Sequence, residues 1–232
     1  EVQTDDCLNT CAAASCGDAQ VQAGVEDCDD GNQSNADTCS VTCALQTLGS
    51  VAVYPGYNCK AILDAGASQG DGLYWIDPNG GATDDALRIT CDMTDDGGGW
   101  SIFSHDSEAR THVTGCEAQG CYNRNVVYIA ATGQMTALID SASSCSQSLL
   151  YECWGSGLWT GGTNYGFFYG RDAQESYWPG GTAQCDINDN QWRQNGGNVT
   201  DRGDLPVTRL RFGDTGDAGE QGYHTLGKLR CR

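Results

Sequence analysis

The sequence predicts an α+β fold of mixed and antiparallel sheets, few short helices and many loops, preceded by a small disulfide-stapled segment. Three observations carry that expectation. Fourteen cysteines among 232 residues fit seven disulfides formed in an oxidising compartment. Thirty-two glycines and short apolar runs between turn signals leave room for short elements only. A change of composition near residue 45 separates a segment too poor in large apolar residues to form a core from one that can.

Residues 1–50 hold nine acidic side chains, no basic one and six cysteines, Cys7, Cys11, Cys16, Cys28, Cys39 and Cys43. Burial cannot offset chain entropy in such a segment, so cross-links must. Six cysteines allow fifteen pairings, and the sequence does not choose among them. The stretch Cys16-Gly-Asp…Glu26-Asp-Cys28-Asp-Asp-Gly-Asn32…Asp37-Thr-Cys39-Ser-Val-Thr-Cys43 resembles a short myxobacterial-type cysteine-rich repeat of surface and secreted proteins. Asp27, Asp29, Asp30, Asn32 and Asp37 crowd a turn-rich loop with hard oxygens, which suits Ca²⁺. The competing reading is a solvated acidic face with Asx turns around Gly31. The expected modules are 1–46, with three disulfides, and 47–232, with four.

From Ser50 the chain reads as alternating short elements. Val51–Tyr54 is a strand candidate ending at Pro55. Cys59–Asp64 places Ile62 and Leu63 with Cys59 on one helical face, and Gly66 stops it. Leu73–Ile76, Leu87–Cys91 and Trp100–Phe103 read as strands, parted by Pro78-Asn-Gly80 and Asp95-Asp-Gly-Gly-Gly99. Gln134–Ile139 sets Met135, Leu138 and Ile139 on a helical core face. Cys145–Cys153 alternates as a strand with a cysteine at each end. Cys116 and Cys121 are close enough to close a small loop.

The residues Cys59…Gly72-Leu-Tyr-Trp-Ile-Asp-Pro78…Cys91-Asp-Met-Thr-Asp-Asp-Gly-Gly-Gly-Trp100 look like the opening of a fibrinogen-like domain. Further on come Ser148–Cys153, Gly170-Arg-Asp172, Tyr177–Gly181, Cys185–Arg193, Thr200–Thr208 and Gly222–Cys231, in order. Together they resemble the fibrinogen-like module of contactin-associated and related extracellular adhesion proteins. The resemblance implies a Cys59–Cys91 bond. By position it pairs Cys145 with Cys153 and Cys185 with Cys231.

Charge and motifs narrow the function. A net charge of −19 and a pI near 4.1 disfavour nucleic acid, whose phosphates would be repelled. No apolar run approaches the ~20 residues of a membrane span. The polar opening Glu1–Asp6 reads as a mature, processed form, secreted or displayed on an extracellular surface. No Cys-x-x-Cys pair occurs and His105, His112 and His224 are scattered, which disfavours zinc. Ser104 and Asp106 beside His105 do not make a triad, which is a matter of geometry. No enzymatic activity is expected.

Calcium is the expected cofactor. Asp186, Asn188, Asp189 and Asn190 crowd five positions, and Asp214, Asp217 and Glu220 are separated by glycines that let carboxylates converge. Surface turns capping their own backbone are the competing reading. Lectin relatives of the fibrinogen-like fold imply glycan binding, for which Trp159, Tyr165, Tyr177, Trp178 and His224 are the candidate contacts, though aromatics in such a loop-rich fold also serve as core. Asn32-Gln-Ser34 and Asn198-Val-Thr200 are glycosylation sequons. The expected function is a secreted or surface-displayed, calcium-assisted recognition domain in adhesion, with a glycan or an extracellular protein as partner. The alternative is a structural subunit of a matrix or filament that assembles as a homo-oligomer or polymer.

Overall fold

The computed structural model describes residues 2–3, 15–178, 184–187 and 189–232. The chain divides into two compact units, 1–101 and 102–232. The fold is predominantly β-sheet. The two α-helices among the described residues, of 6 and 10 residues, make the α+β expectation a loose fit.

The first unit contains β1 (Val2–Gln3) and β2 (Val21–Gln22), a parallel pair, then α1 (Cys59–Asp64), β3 (Gly72–Ile76) and β4 (Leu87–Asp92), and runs into β5 (Trp100–Phe103). The acidic segment is held by Cys16–Cys43 and Cys28–Cys39. Cys7 and Cys11 lie outside the described residues. Helix α1 forms as its sequence dictates. Asn58 caps it by accepting the Ala61 N–H at 2.8 Å. Gly66, at φ +69°, ends it in a Schellman motif, with Gly66 N–H on the Leu63 carbonyl and Ala67 N–H on that of Ile62. The Cys59–Cys91 bond ties α1 to β4, as the resemblance implied. Ile62, Ile76 and Ile89 are buried around it. Val51–Tyr54 is a turn and not the expected strand. The Tyr54 N–H closes back on the Val51 carbonyl, and Val53 is left exposed.

The second unit holds β6 (Thr111–Val113), β7 (Tyr122–Asn125), α2 (Thr132–Ser141), β8 (Cys145–Trp154), β9 (Trp159–Thr160), β10 (Thr163–Asn164), β11 (Phe167–Tyr169), β12 (Glu175–Tyr177), β13 (Arg193–Val199), β14 (Arg209–Phe212), β15 (Gln221–Leu226) and β16 (Leu229–Cys231). Strand β8 is its axis, pairing antiparallel with β13, β15 and β16. A second sheet runs β12-β11-β14-β7. The inner face of β8 presents Leu149 and Tyr151. Tyr151 stacks on Phe212 at 4.6 Å between ring centroids, and Phe212 stacks on His224 at 5.5 Å. Met135, Leu138 and Ile139 bury the predicted face of α2. Arg202 closes that helix by donating to the carbonyls of Ile139, Asp140 and Ala142, three of the acceptors a helix end leaves unpaired.

The four cysteines of β8 and its neighbours correct the positional expectation. Cys145 and Cys153 stand eight residues apart on one continuous strand, about 26 Å, whereas a disulfide needs Cα atoms within about 7 Å. Cys145 instead bonds Cys231, its register partner on β16, and Cys153 bonds Cys185. Cys116 and Cys121 do close a small loop.

Candidate functional site

Two features of the second unit meet on one segment, Gly155–Trp159. The first is a carboxylate cluster. Asp214 sits at φ +54°, 6% exposed, and its Oδ2 accepts the Gly157 N–H at 2.6 Å. Asp217 and Glu220 close a turn on one another: the Asp217 N–H donates to Glu220 Oε2, and the Glu220 N–H to the Asp217 carbonyl. Glu117 joins them from the Cys116–Cys121 loop. Its carbonyl accepts the Asp214 N–H and its Oε2 accepts that of Gly216. Carboxylate oxygens of Glu117, Asp217 and Glu220 lie within 4.8 Å of one another. Asn190 stands alongside: a β-carbon built on Gly155 would lie 3.3 Å from Asn190 Oδ1 and 3.4 Å from the Gly219 carbonyl.

Crowding leaves an electrostatic mark. Burial pushes the Asp214 carboxyl above its ordinary range, aided by the charges of Glu117 and Asp217 and opposed by the Gly157 amide. Burial likewise raises Glu220, with Asp214, Glu117 and Asp217 adding to it. The donor set is entirely oxygen, from carboxylates, an amide and a carbonyl. Such a set fits a hard divalent cation of Ca²⁺ type, which takes six to eight oxygens, better than zinc.

The second feature is an aromatic cavity of about 240 Å³, lined by Trp159, Tyr177 and Trp178 with Asn164, Asp186 and Asn195. Trp159 and Tyr177 are 50% and 64% exposed. Trp178 is 9% exposed and its indole N–H donates to the Asn195 carbonyl at 3.2 Å. The Asn164 amide donates to the Leu158 and Gly166 carbonyls in the orientation its neighbours require. The connecting segment is held at each step: Gly157 N–H on Asp214, Leu158 N–H on the Cys185 carbonyl, Trp159 N–H on Asp186 Oδ1 at 3.1 Å. The carboxylate cluster thus anchors the backbone that carries Trp159.

Other expected residues are placed elsewhere. Tyr165 packs beside Gly213 and does not line the cavity. His224 is 0% exposed, with Nε2 3.0 Å from the Tyr122 hydroxyl; burial, with the Arg124 charge, lowers its pKa to about 4. It is a neutral core residue, not a ligand contact. His105 is buried too, its Nε2 at 3.1 Å from the Leu226 carbonyl. Asp189 is engaged by Arg193 through two hydrogen bonds, and Asn188 lies outside the described residues. In the acidic segment Asp29 accepts four amides, from Gly17, Asp18, Ala19 and Gly31. Burial pushes its carboxyl up, but those amides outweigh it and hold the group below its ordinary range. Asp30, Asn32 and Asp37 each accept the amide two residues on. This loop therefore spends its oxygens on its own backbone, and the neighbouring Cys16 and Cys43 sulfurs are bonded to each other. Glu117, Asn164 and Asn195 are the residues sequence reasoning missed.

The fold and site define a disulfide-stapled, β-rich module with a carboxylate cluster beside an aromatic cavity. The chain is similar to the fibrillar collagen C-terminal domain family, whose profile matches residues 49–163. It is also similar to Neurexin-4 of Drosophila melanogaster, 29% identical over 185 residues, which cover 67% of this chain and 14% of that protein. Contactin-associated protein 1 is 27% identical in Rattus norvegicus and 26% in Homo sapiens, each over 198 residues, 75% of this chain and 14% of the relative. The chain thus spans 14% of the length of these relatives. Among the described residues no helix is long and apolar enough to cross a membrane.

Proposed function

We propose that this chain is an extracellular recognition module of the adhesion kind, fibrinogen-like in its second part and non-enzymatic, that reads carbohydrate with the assistance of Ca²⁺. The observation that carries the reading is the shared segment Gly155–Trp159, whose amides rest on Asp214 and Asp186 while its tryptophan walls the cavity. Trp159 and Tyr177 offer ring faces to sugar C–H surfaces, and Asp186 and the nearby amides offer hydrogen bonds to hydroxyls. Glu117, Asp217 and Glu220 would hold the cation, with Asn190 and the Gly219 carbonyl at hand and Asp214 beside them. When bound, Ca²⁺ supplies the positive charge that offsets their crowding. Six disulfides among the described residues suit an extracellular setting. The relatives named contactin-associated favour a protein as the second reading of the partner.

A glycan array probed with the full chain, with Ca²⁺ and with EDTA, tests this. Binding is expected in Ca²⁺, and a Trp159→Ala/Tyr177→Ala variant is expected to lose it by a hundredfold or more, two stacked rings contributing about 1–3 kcal/mol in all beyond their buried area. An array silent in both conditions rejects the carbohydrate reading.

A further inference from the structure

The aromatic cavity has a wall whose N–H donors are largely spent on the protein itself. The Leu158 N–H goes to the Cys185 carbonyl, that of Trp159 to Asp186 Oδ1, and that of Gly166 to the Leu158 carbonyl. The Asn195 carbonyl takes the Trp178 indole N–H, and the Asn164 amide nitrogen donates to the carbonyls of Leu158 and Gly166. What the lining keeps for a ligand is mostly negative: the rings of Trp159 and Tyr177, whose π faces carry negative potential, and the carboxylate of Asp186. A carboxylate has two oxygens and about four lone-pair sites, so the bond from Trp159 does not exhaust Asp186.

No Lys, Arg or His is among the described residues that line the cavity, and Pro179-Gly-Gly-Thr-Ala183, next in sequence after Trp178, bears no charge. The carboxylate and the ring faces therefore share a space of about 240 Å³ on a chain of net charge −19, a setting that draws cations. That volume falls below the roughly 300–1,000 Å³ of pockets for drug-sized ligands and suits a single sugar unit. We infer that the cavity takes an amino sugar with a free, protonated amine, its ammonium held between Asp186 and the Trp159 and Tyr177 rings. The inference rests on the carbohydrate reading above and names the class of sugar. An ammonium has three donors and no acceptor, the complement of this wall. The ring quadrupoles attract it, and its bond to Asp186 is charge-assisted. An acetylated amine has neither the charge nor the three donors, and a hydroxyl has one donor and no charge.

Calorimetry on the full chain in millimolar Ca²⁺ tests the inference, with the methyl glycosides of glucosamine, N-acetylglucosamine and glucose and of their three galacto counterparts. The measurement is made at about pH 6.5, where such an amine is protonated. In at least one series the amine is expected to bind tenfold or more tighter than both its acetylated and its hydroxyl counterpart. Asp186→Asn keeps an oxygen for the Trp159 N–H and removes the charge. In that variant the amine is expected to bind no tighter than the hydroxyl glycoside, whose own affinity stays unchanged. Equal or tighter binding of the acetylated or hydroxyl glycosides by the natural sequence, or an amine preference that survives in Asp186→Asn, overturns the inference and leaves the carbohydrate reading in place. So does a variant that loses all three alike, since Asp186 then builds the wall without reading the charge. Silence from every glycoside beside a positive array overturns the amino-sugar inference alone. Silence in both removes the carbohydrate reading with it.

Discussion

Replacing Cys145 and Cys231 together by alanine is expected to cost about 4.5 kcal/mol of stability, the largest single effect in the molecule. The bond closes a sequence separation of 86 residues, and restoring that freedom to the unfolded chain accounts for roughly this amount on the chain-entropy model. Removing Cys153–Cys185, separation 32, is expected to cost about 3.7 kcal/mol. At about 2–4 °C per kcal/mol for a chain of this size, the first variant melts some 9–18 °C lower in scanning calorimetry under non-oxidising handling. Thiol titration adds a check on connectivity. With Cys153 bonded to Cys185, the Cys145→Ala/Cys231→Ala chain exposes no new thiol on unfolding. Two new thiols, or a peptide map linking Cys145 to Cys153, would contradict the pairing.

The second large effect is expected from calcium and depends on pH. In the folded chain Asp214 and Glu220 hold their protons to higher pH than unfolded carboxyls do. The folded form therefore binds more protons than the unfolded one between the two ranges. The contribution of these groups is fully present below the ordinary carboxylate range and is lost as pH rises through their folded values. Near neutral pH the cation-free cluster is thus a liability, which a bound Ca²⁺ would relieve. At a hundredfold excess over its dissociation constant, Ca²⁺ is expected to stabilise the chain by about 2.7 kcal/mol, raising the melting temperature by about 5–11 °C at pH 7. At pH 4 protons compete for the same oxygens and the shift shrinks. Asp217→Asn/Glu220→Gln should abolish the calcium shift at pH 7, and an undiminished shift in that variant would place the cation elsewhere.

How far the sequence revealed this molecule depends on the range of the signal. Elements with strong local patterns were legible. The alternation of Cys145–Cys153 is the central strand β8, and Met135, Leu138 and Ile139 mark the buried face of α2. Local sequence also misled: Val51–Tyr54 has the residues of a strand, but it is closed by its own i to i+3 bond. The pairing of four cysteines failed for a geometric reason, since two cysteines close in sequence on an extended strand are far apart in space. The carboxylates of Asp214, Asp217 and Glu220 were legible as one loop. Glu117, 100 residues from Asp217, was not. Its only local mark was the small Cys116–Cys121 loop, and no spacing rule connects that loop to residue 217. Of the aromatics, Trp159, Tyr177 and Trp178 converge on one cavity whereas Tyr165 and His224 do not, because which face a ring takes is decided by register and turns.

The coupling between cation and ligand tests the account at its centre. Affinity for the ligand drawn from the array is measured by calorimetry in millimolar Ca²⁺ and in EDTA, on the natural sequence and on Glu117→Gln. Binding is expected to be at least tenfold tighter with Ca²⁺, about 1.4 kcal/mol. The ligand should tighten Ca²⁺ by the same factor, and Glu117→Gln should erase the difference. Equal affinity with Ca²⁺ and with EDTA in the natural sequence would contradict the account.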